Sequence, residues 1–387
     1  MKKIAVITGT RAEYGLLKPL IASVHADKDL ELHLVVTAMH LSPEYGMTIN
    51  EIIKDGFPVH KKIECLLNSD TAIGVSKSIS LALASFAENF SESEPDCIVI
   101  LGDRTEMLAA TIAANMANIP IAHIHGGETT EGAYDEGIRH AITKMSYWHF
   151  TSTEDYKNRV IQLGEHPDRV YCVGAIGLDS IIGLKLLTKD QFENQISFKL
   201  DQKTALVTYH PVTLEYSTAK DQFQSILDAL DMEENLKIIF THANSDKDGK
   251  IINSMIIQYV KNNPDKSVEF KSLGQLRYLS SLKFVDVVVG NSSSGIIEVP
   301  YYNIPTINIG DRQKGRVIAQ SVINVNPNSK EISEALQKSF ETRFINEIKT
   351  QKQVYGIGGT APKIISTLKS AKNVSLKKSF YDLNVNL

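Results

Sequence analysis

Short apolar runs rich in Val and Ile recur along the first half of the chain and alternate with longer stretches of helical period. This pattern is typical of a parallel sheet buried between two helix layers. The predicted strands cover residues 3–8, 32–37, 59–63, 97–101, 121–124, 149–151 and 170–173. The clearest predicted helices cover residues 12–25, 72–90 and 106–118.

A second series of the same kind follows, with strands predicted over residues 204–208, 237–241, 268–271, 285–290 and 306–309. The fold class expected is therefore α/β, with two Rossmann-like domains facing across a cleft at the carboxyl ends of their strands. Gly174 and Gly177 follow the last strand of the first series, and they place the boundary between the two domains there. We expect a first domain over 1–175, completed by a helix within 360–375, and a second over 176–355.

Length and composition agree with two soluble domains, since the chain has 387 residues, of which 43% are hydrophobic and 22% charged. A formal net charge of -4 gives no basic surface for nucleic acid or an acidic membrane. The three cysteines are far apart in the sequence, which favours neither disulfides nor a thiolate metal site. The first apolar run is too short for a signal peptide, so we expect a cytoplasmic protein.

Polar residues follow the first and fourth predicted strands. Gly9 to Gly15 form a glycine turn that opens a helix, where free amides and the dipole favour an anion and Arg11 adds a forked donor. The alternative is an ordinary turn with a solvated arginine. Asp103 and Arg104 stand at the next such helix start, where Asp103 alone could be an N-cap.

The densest polar cluster follows the fifth strand and contains His123, His125, Glu128, Asp135 and Arg139. Alternation along the strand puts both histidines on one face, and the two glycines that follow His125 let a substrate approach the backbone. No third metal ligand has a fixed spacing, so a buried, hydrogen-bonded His123 is favoured over a zinc site.

In the second half, His210 directly follows a strand and has a near-neutral ordinary pKa, which suits a proton carrier. A turn containing Ser292 and Ser293 leads into a helix with Glu298 one turn further on. Such a turn can cradle phosphate while the carboxylate accepts ribose hydroxyls. The alternative is an N-capping serine followed by a surface Glu. Arg312 follows the next strand and supplies a further cation.

Together, these motifs resemble the UDP-N-acetylglucosamine 2-epimerase family in identity and order over nearly the whole chain. The matching motifs are Arg11-Ala12-Glu13-Tyr14, Gly102-Asp103-Arg104, His123-Ile124-His125-Gly126-Gly127-Glu128, Asp135-Glu136, Ile138-Arg139-His140, His210-Pro211 and Gly290-Asn291-Ser292-Ser293. Non-hydrolysing members usually have Gly-Thr-Arg-Pro-Glu at the first turn and Glu-Ala-Gly-Leu-Arg after the fifth strand. Ala12 and His125 depart from those patterns, so the chain resembles the hydrolysing branch of sialic acid biosynthesis.

The resemblance implies that UDP-N-acetylglucosamine and water give N-acetylmannosamine and UDP through 2-acetamidoglucal, with no cofactor and no metal, in a homodimer or homotetramer. It assigns the two catalytic acids to Asp103 and Asp135, and a proton donor near the diphosphate to His210. Related hydrolysing enzymes carry Glu where this chain has His125, so His125 or Glu128 takes the second acid's role, or the role is dispensed with. The implied contacts to the UDP-sugar are Arg11, Gly15, Arg104, His210, Asn244, Ser292, Ser293, Glu298 and Arg312.

Other functions fit the same motifs. The first is the same hydrolysing chemistry on UDP-N,N'-diacetylbacillosamine in legionaminic acid synthesis, because the sugar pocket is not readable from one sequence. A non-hydrolysing epimerase, a glycosyltransferase and a nucleotide-sugar binding protein are the others. The products formed from the UDP-sugar and water alone distinguish among them.

Overall fold

A computed structural model of the chain describes residues 1–67, 69, 71–129, 135–211, 219–243, 249–371 and 374–383. They divide into two compact α/β units. The first contains the described residues up to Gly183 together with those from Tyr355 onward, and the second contains those of Leu184–Val354.

The first unit is built on a sheet of seven parallel strands in the order β3-β2-β1-β4-β5-β6-β7. Successive residues of the first strand enter different cores: Ile4 and Val6 pack in one, and Ala5 and Ile7 in the other. Both faces are therefore covered, which is why the strands are apolar throughout. The strands are β1 Lys2–Thr8, β2 Leu30–Thr37, β3 Lys61–Ile63, β4 Cys97–Leu101, β5 Ile121–Ile124, β6 Trp148–Thr151 and β7 Val170–Cys172.

Helices lie on both faces of this sheet, and those between successive strands make the parallel connections of a doubly wound unit. They are α1 Arg11–Ala26, α2 Ile49–Lys54, α3 Ala72–Ser93, α4 Thr105–Met116, α5 Asp135–Met145, α6 Glu154–Gln162 and α7 Gly177–Gly183. Short 3-10 helices occur at Ala38–Leu41, Pro43–Tyr45 and Pro167–Arg169.

The second unit has a six-stranded parallel sheet in the order β10-β9-β8-β11-β12-β13. Its strands are β8 Lys203–Thr208, β9 Leu236–Thr241, β10 Ser267–Phe270, β11 Val287–Gly290, β12 Thr306–Ile309 and β13 Val322–Val325. Its helices are α8 Lys189–Ile196, α9 Ala219–Asp231, α10 Gly249–Asn262, α11 Gly274–Ser281, α12 Ser294–Ile297, α13 Ser329–Ser339 and α14 Thr342–Lys349, with a 3-10 helix at Val299–Tyr302.

The chain returns to the first unit through α15, Thr360–Ser370, which buries Ile364 and Leu368 in the same core as α1. Asp179 in α7 accepts hydrogen bonds from the first two backbone amides of α15, at 2.9 and 2.6 Å. Ser180 donates to the carbonyl of Gly15 at 3.2 Å. These bonds tie α7 to the first unit, which therefore extends to Gly183 rather than ending near residue 175.

The predicted α/β class is confirmed, and every predicted strand is present with ends within two residues of the expected ones. The pattern does not predict β13, because exposed Asn324 interrupts its short apolar run at the edge of the sheet. None of the described helices is both long and apolar enough to cross a membrane.

Candidate active site

The turn after β1 is fixed by a capping box at the start of α1. The Thr10 hydroxyl accepts from the Glu13 amide at 3.3 Å, and Glu13 Oε2 accepts from the amides of Gly9 and Thr10 at 2.9 and 3.0 Å. Arg11 is the first residue of the helix and is exposed. The helix dipole and this guanidinium both favour an anion at this end of α1.

Two buried carboxyl groups lie beneath this turn. Glu106 accepts from Arg104 Nε at 2.6 Å, and a Cβ atom at position 9 would overlap Glu106 Oε1, so the close approach requires Gly9. Burial, with the Glu106 charge second, raises the pKa of Glu13 to about 8. Glu13 is therefore protonated at neutral pH, while Glu106 holds Arg104 at the start of α4.

Asp103, after β4, does not cap α4, since Arg104 occupies the N-cap position. Its carboxylate instead pairs with Arg139 Nη2. The Arg139 side chain is only 4% exposed, and its Nη1 also donates to Glu136 at 2.6 Å and to the carbonyl of Glu128 at 2.9 Å. This single guanidinium therefore joins the β4–α4 turn, the segment after β5 and α5.

Asp135 begins α5 and is half-buried. Burial, followed by the negative charge of Asp103, raises its pKa, while Arg104 and Arg139 oppose the rise. The two predicted acids thus lie close enough to interact, with two arginines beside them. A carboxylate pair with unequal environments can divide the roles of proton acceptor and proton donor.

His123 is fully buried in β5 and hydrogen-bonded, as its position in the strand predicts. Its Nε2 lies 2.8 Å from the carbonyl of Gly102 and therefore carries the proton, because a carbonyl only accepts. Its Nδ1 lies 3.1 Å from the Thr143 hydroxyl. Burial lowers the pKa of His123 to about 3, so the ring is neutral and serves the packing of β4, β5 and α5.

His125 adopts the left-handed region, with φ of +66°. Its Nε2 accepts from the amide of Ile176 at 3.3 Å, which leaves the proton of a neutral ring on Nδ1. Nδ1 lies 3.2 Å from Glu128 Oε1, and that oxygen also accepts from Ser152 at 2.8 Å. His125 and the buried Glu128 are therefore a hydrogen-bonded pair, and His125 can take a second proton only by releasing the Ile176 amide.

In the second unit, Asn291 joins three strand ends. Its side chain accepts from the His210 amide and donates to the His210 carbonyl, both at 2.8 Å. Its own carbonyl accepts from Arg312 Nη1 at 3.1 Å and from Gln313 Nε2 at 2.9 Å. Burial, with Arg312 second, lowers the pKa of His210 to about 4, so its ring is neutral at pH 7.

Ser292 and Ser293 are half-buried in the turn after β11. The alternative of a capping serine does not hold for Ser293, whose side chain makes no capping bond, and α12 is only four residues long. Glu298 is half-buried at the end of this short helix, rather than one turn into a longer one. Gly290 allows the turn because its φ is +136° and a Cβ atom there would overlap the carbonyl of Thr208.

Asn244, expected to contact the diphosphate, lies outside the described residues. Gly15 is half-buried in the second turn of α1. Among the described residues, no three His, Cys, Asp or Glu side chains lie close enough to hold a metal ion. The linking roles of Arg139 and Asn291 are not apparent from the sequence, although Arg139 lies four residues after Asp135 and hence on the same helix face.

The two doubly wound units define a glycosyltransferase-B-like α/β fold, and comparison with known proteins identifies the family. The family model described as UDP-N-acetylglucosamine 2-epimerase matches residues 22–369. The chain belongs to this family. A solved UDP-GlcNAc 2-epimerase from Neisseria meningitidis, bound to UDP-GlcNAc, superposes with a TM-score of 0.81 at 20% identity, covering 96% of this chain and 100% of that one.

Three curated relatives are similar over almost their whole length. The chain is 41% identical to a GDP/UDP-N,N'-diacetylbacillosamine 2-epimerase (hydrolyzing) of Campylobacter jejuni, with 99% of each chain covered. It is 39% identical to a UDP-N,N'-diacetylbacillosamine 2-epimerase (hydrolyzing) of Legionella pneumophila, with 96% of each covered. It is also 39% identical to the polysialic acid biosynthesis protein P7 of Escherichia coli, over 99% of this chain and 98% of that one.

Proposed function

We propose that the chain is a hydrolysing 2-epimerase of a UDP-linked acetamido sugar and that this sugar is N,N'-diacetylbacillosamine. The carboxylates of Asp103 and Asp135 beside Arg104 and Arg139 carry the proposal, because the chemistry needs both a proton acceptor and a proton donor. Two relatives at 41% and 39% identity that bear this substrate in their names support the sugar. It replaces UDP-N-acetylglucosamine, the substrate expected from the sequence, as the first candidate.

The reaction has two steps. In the first, a carboxylate of the Asp103–Asp135 pair removes the proton from carbon 2 while the bond from carbon 1 to the diphosphate oxygen breaks, giving UDP and a glycal. In the second, water adds its oxygen to carbon 1, and a proton is added to carbon 2 on the face opposite to the one it left. Burial and the charge of Asp103 raise the pKa of Asp135, which makes its carboxylate a stronger proton acceptor than an exposed one.

Negative charge develops on the leaving diphosphate, so fixed positive groups lower the barrier for its departure. In the first unit, Arg11 and Arg104 stand at helix starts and are proposed to contact it. In the second unit, Arg312 and the serines of the β11–α12 turn share that role, and Asn244 stays assigned to it by family resemblance. Glu298 is proposed to bind the ribose.

His210 is proposed to give a proton to the leaving diphosphate. Because the pKa of His210 is lowered, the ring is a weak base. Once the nearby diphosphate anion has stabilised the charged ring, the ring yields its proton readily. His125 and Glu128 are proposed as a supporting pair, in which Glu128 is the acid and His125 holds its carboxylate in place. Glu128 is chosen as the acid because both ring nitrogens of His125 already have hydrogen-bond partners.

UDP-N-acetylglucosamine is the second candidate substrate. The 39% identity to the E. coli polysialic acid biosynthesis protein favours it. A UDP-N-acetylglucosamine 2-epimerase of Neisseria meningitidis, which is 30% identical with 100% of each chain covered, favours it as well. The two candidates share every step at carbons 1 and 2 and differ at carbons 4 and 6 of the sugar.

The test is incubation of each UDP-sugar with the protein and water alone, with products followed by NMR. We expect free 2-epimerised sugar and UDP from UDP-N,N'-diacetylbacillosamine, with a kcat/KM at least tenfold above that for UDP-N-acetylglucosamine. The reverse preference would assign the second substrate. A UDP-linked epimer would indicate a non-hydrolysing enzyme, and no reaction with either sugar would contradict the proposal. Asp103→Asn is the matched control. It is expected to bind UDP but to form almost no UDP from either UDP-sugar.

A further inference from the structure

The segment after α15, residues 374–383, docks against the first unit at the end of α5 that is remote from Asp135. Its backbone is held there by a hydrogen bond from the amide of Tyr381 to the carbonyl of Gly164, at 3.0 Å. The ring of Phe380 covers Gly164, whose φ is +86° and where a Cβ atom would overlap that ring. Lys144 lies over the same ring, with Nζ 4.9 Å from its centre.

Lys378, within this segment, caps the carboxyl end of α5. Its Nζ donates to the carbonyls of Lys144 and Ser146, at 2.9 and 2.6 Å. The last carbonyls of a helix have no partner within it, and the negative end of the helix dipole attracts a cation. The Lys378 side chain is 21% exposed and therefore partly withdrawn from water. One ammonium group thus satisfies two backbone acceptors at the helix end.

Glu165 anchors that ammonium group from the other side. Its side chain is 1% exposed and accepts from Lys378 at 2.9 Å, from Lys144 at 2.7 Å and from His149 Nε2 at 3.0 Å. These partners hold the pKa of Glu165 at about 2 although burial opposes the shift, so the carboxylate is ionised. The last turn of α5, strand β6 and residues 374–383 therefore meet at one buried charge.

The opposite end of α5 carries the proposed chemistry. Asp135 is its first residue, and Arg139, one turn later, reaches Asp103. A helix of this length is a stiff rod of about 1.5 Å per residue, so a shift at one end moves the other. We propose that Lys378 is a positioning residue of the active site, which holds α5 so that Asp135 and Arg139 stay in register with Asp103. This inference rests on the proposed function.

The experiment compares three variants of the full chain. Lys378→Met removes the charge and keeps most of the side-chain length, and Lys378→Arg restores the charge. Lys369→Met is the matched control, because Lys369 lies in α15 and makes comparable ion pairs with Asp27 and Asp29, which follow the end of α1, both at 2.8 Å. Each variant is assayed for kcat, KM and UDP affinity, and the hydrogen exchange of the amides in 135–145 is measured.

We expect Lys378→Met to lower kcat between about tenfold and a hundredfold, the range that misplacement of a catalytic group by up to 1 Å produces. KM and UDP affinity should change less than threefold, and the amides of α5 should exchange faster. Lys378→Arg should recover most of kcat, and Lys369→Met should match the parent. Phe380→Ala, at a ring that is 63% exposed, should lower kcat in the same direction but less and should not prevent folding.

Unchanged kcat and unchanged exchange in α5 for both Lys378→Met and Phe380→Ala would overturn the inference. Equal losses in Lys378→Met and Lys369→Met would also overturn it, because the effect would then be one of general stability. If the parent protein shows no turnover of either UDP-sugar, the proposed function fails. Hydrogen exchange of the α5 amides in Lys378→Met then decides separately whether Lys378 holds the helix.

Discussion

Replacing Arg139 by Met removes the guanidinium that joins three segments of the first unit. Its partners are the carboxylates of Asp103 and Glu136 and the carbonyl of Glu128. Met fills much of the same volume, so the main change is the loss of charge and donors. We expect the variant to fold, to bind UDP with near-parental affinity and to lose at least a hundredfold in kcat.

The expected loss of stability follows from the exposure of these partners. Breaking a buried ion pair usually costs about 3 to 5 kcal/mol. Asp103 and Glu136 are 24% and 28% exposed, so water can reach both after the substitution and the cost falls to the lower end of that range. The carbonyl of Glu128 loses a donor, which adds about 1 kcal/mol. The sum is a destabilisation of about 4 kcal/mol.

The assay is urea unfolding followed by the fluorescence of Trp148, the chain's only tryptophan, which is buried in β6 of the first unit. Lys61→Met is the matched control, because Lys61 forms an exposed pair with Glu92 at 2.9 Å in the same unit. It should lose less than about 1 kcal/mol. A loss below 1 kcal/mol together with parental kcat in the Arg139 variant would refute the role assigned to this guanidinium.

Two further predictions concern stability. Gly290→Ala should destabilise the second unit by about 4 kcal/mol in chemical unfolding, since it adds backbone strain to an overlap with Thr208. Gly310→Ala is the control, because a Cβ atom there has open space, and it should lose only about 1 kcal/mol. Equal losses in the two variants would contradict this prediction. The pKa of Glu13 is raised to about 8, so its contribution is present at low pH and lost as pH rises through about 8. Because the ordinary pKa of a Glu is 4.5, this loss is spread over about pH 5 to 8. Glu13→Gln should therefore flatten the fall in stability between about pH 5 and 8, and an unchanged slope would contradict the raised pKa.

Much of the fold follows from local sequence pattern. Strands such as β4 and β12 are short apolar runs between turn residues, and their ends agree with prediction at every residue. Polar residues after such strands gather at one edge of a parallel sheet, which is why Asp103 and Asp135 could be paired from the sequence. Strand β13 shows the limit, because an edge strand with one exposed face lacks the continuous apolar run.

The parts of the site that could not be predicted depend on contacts between residues far apart in the chain. The partners of Arg139 come from two other segments, and the tautomer of His125 is set by the amide of Ile176. Asn291 acts through the backbone of His210, which is 81 residues away. Lys378 lies 213 residues from Glu165. Periodicity carries no information about such pairs.

In the proposed reaction, this protein breaks the bond between carbon 1 of the sugar and the diphosphate oxygen while exchanging the proton at carbon 2. The most direct measurement is one turnover experiment with UDP-N,N'-diacetylbacillosamine in deuterated, oxygen-18-labelled water, analysed by NMR and mass spectrometry. We expect deuterium at carbon 2 of the free epimerised sugar and UDP that contains no oxygen-18. Oxygen-18 in the UDP, or product with unexchanged hydrogen at carbon 2, would contradict it.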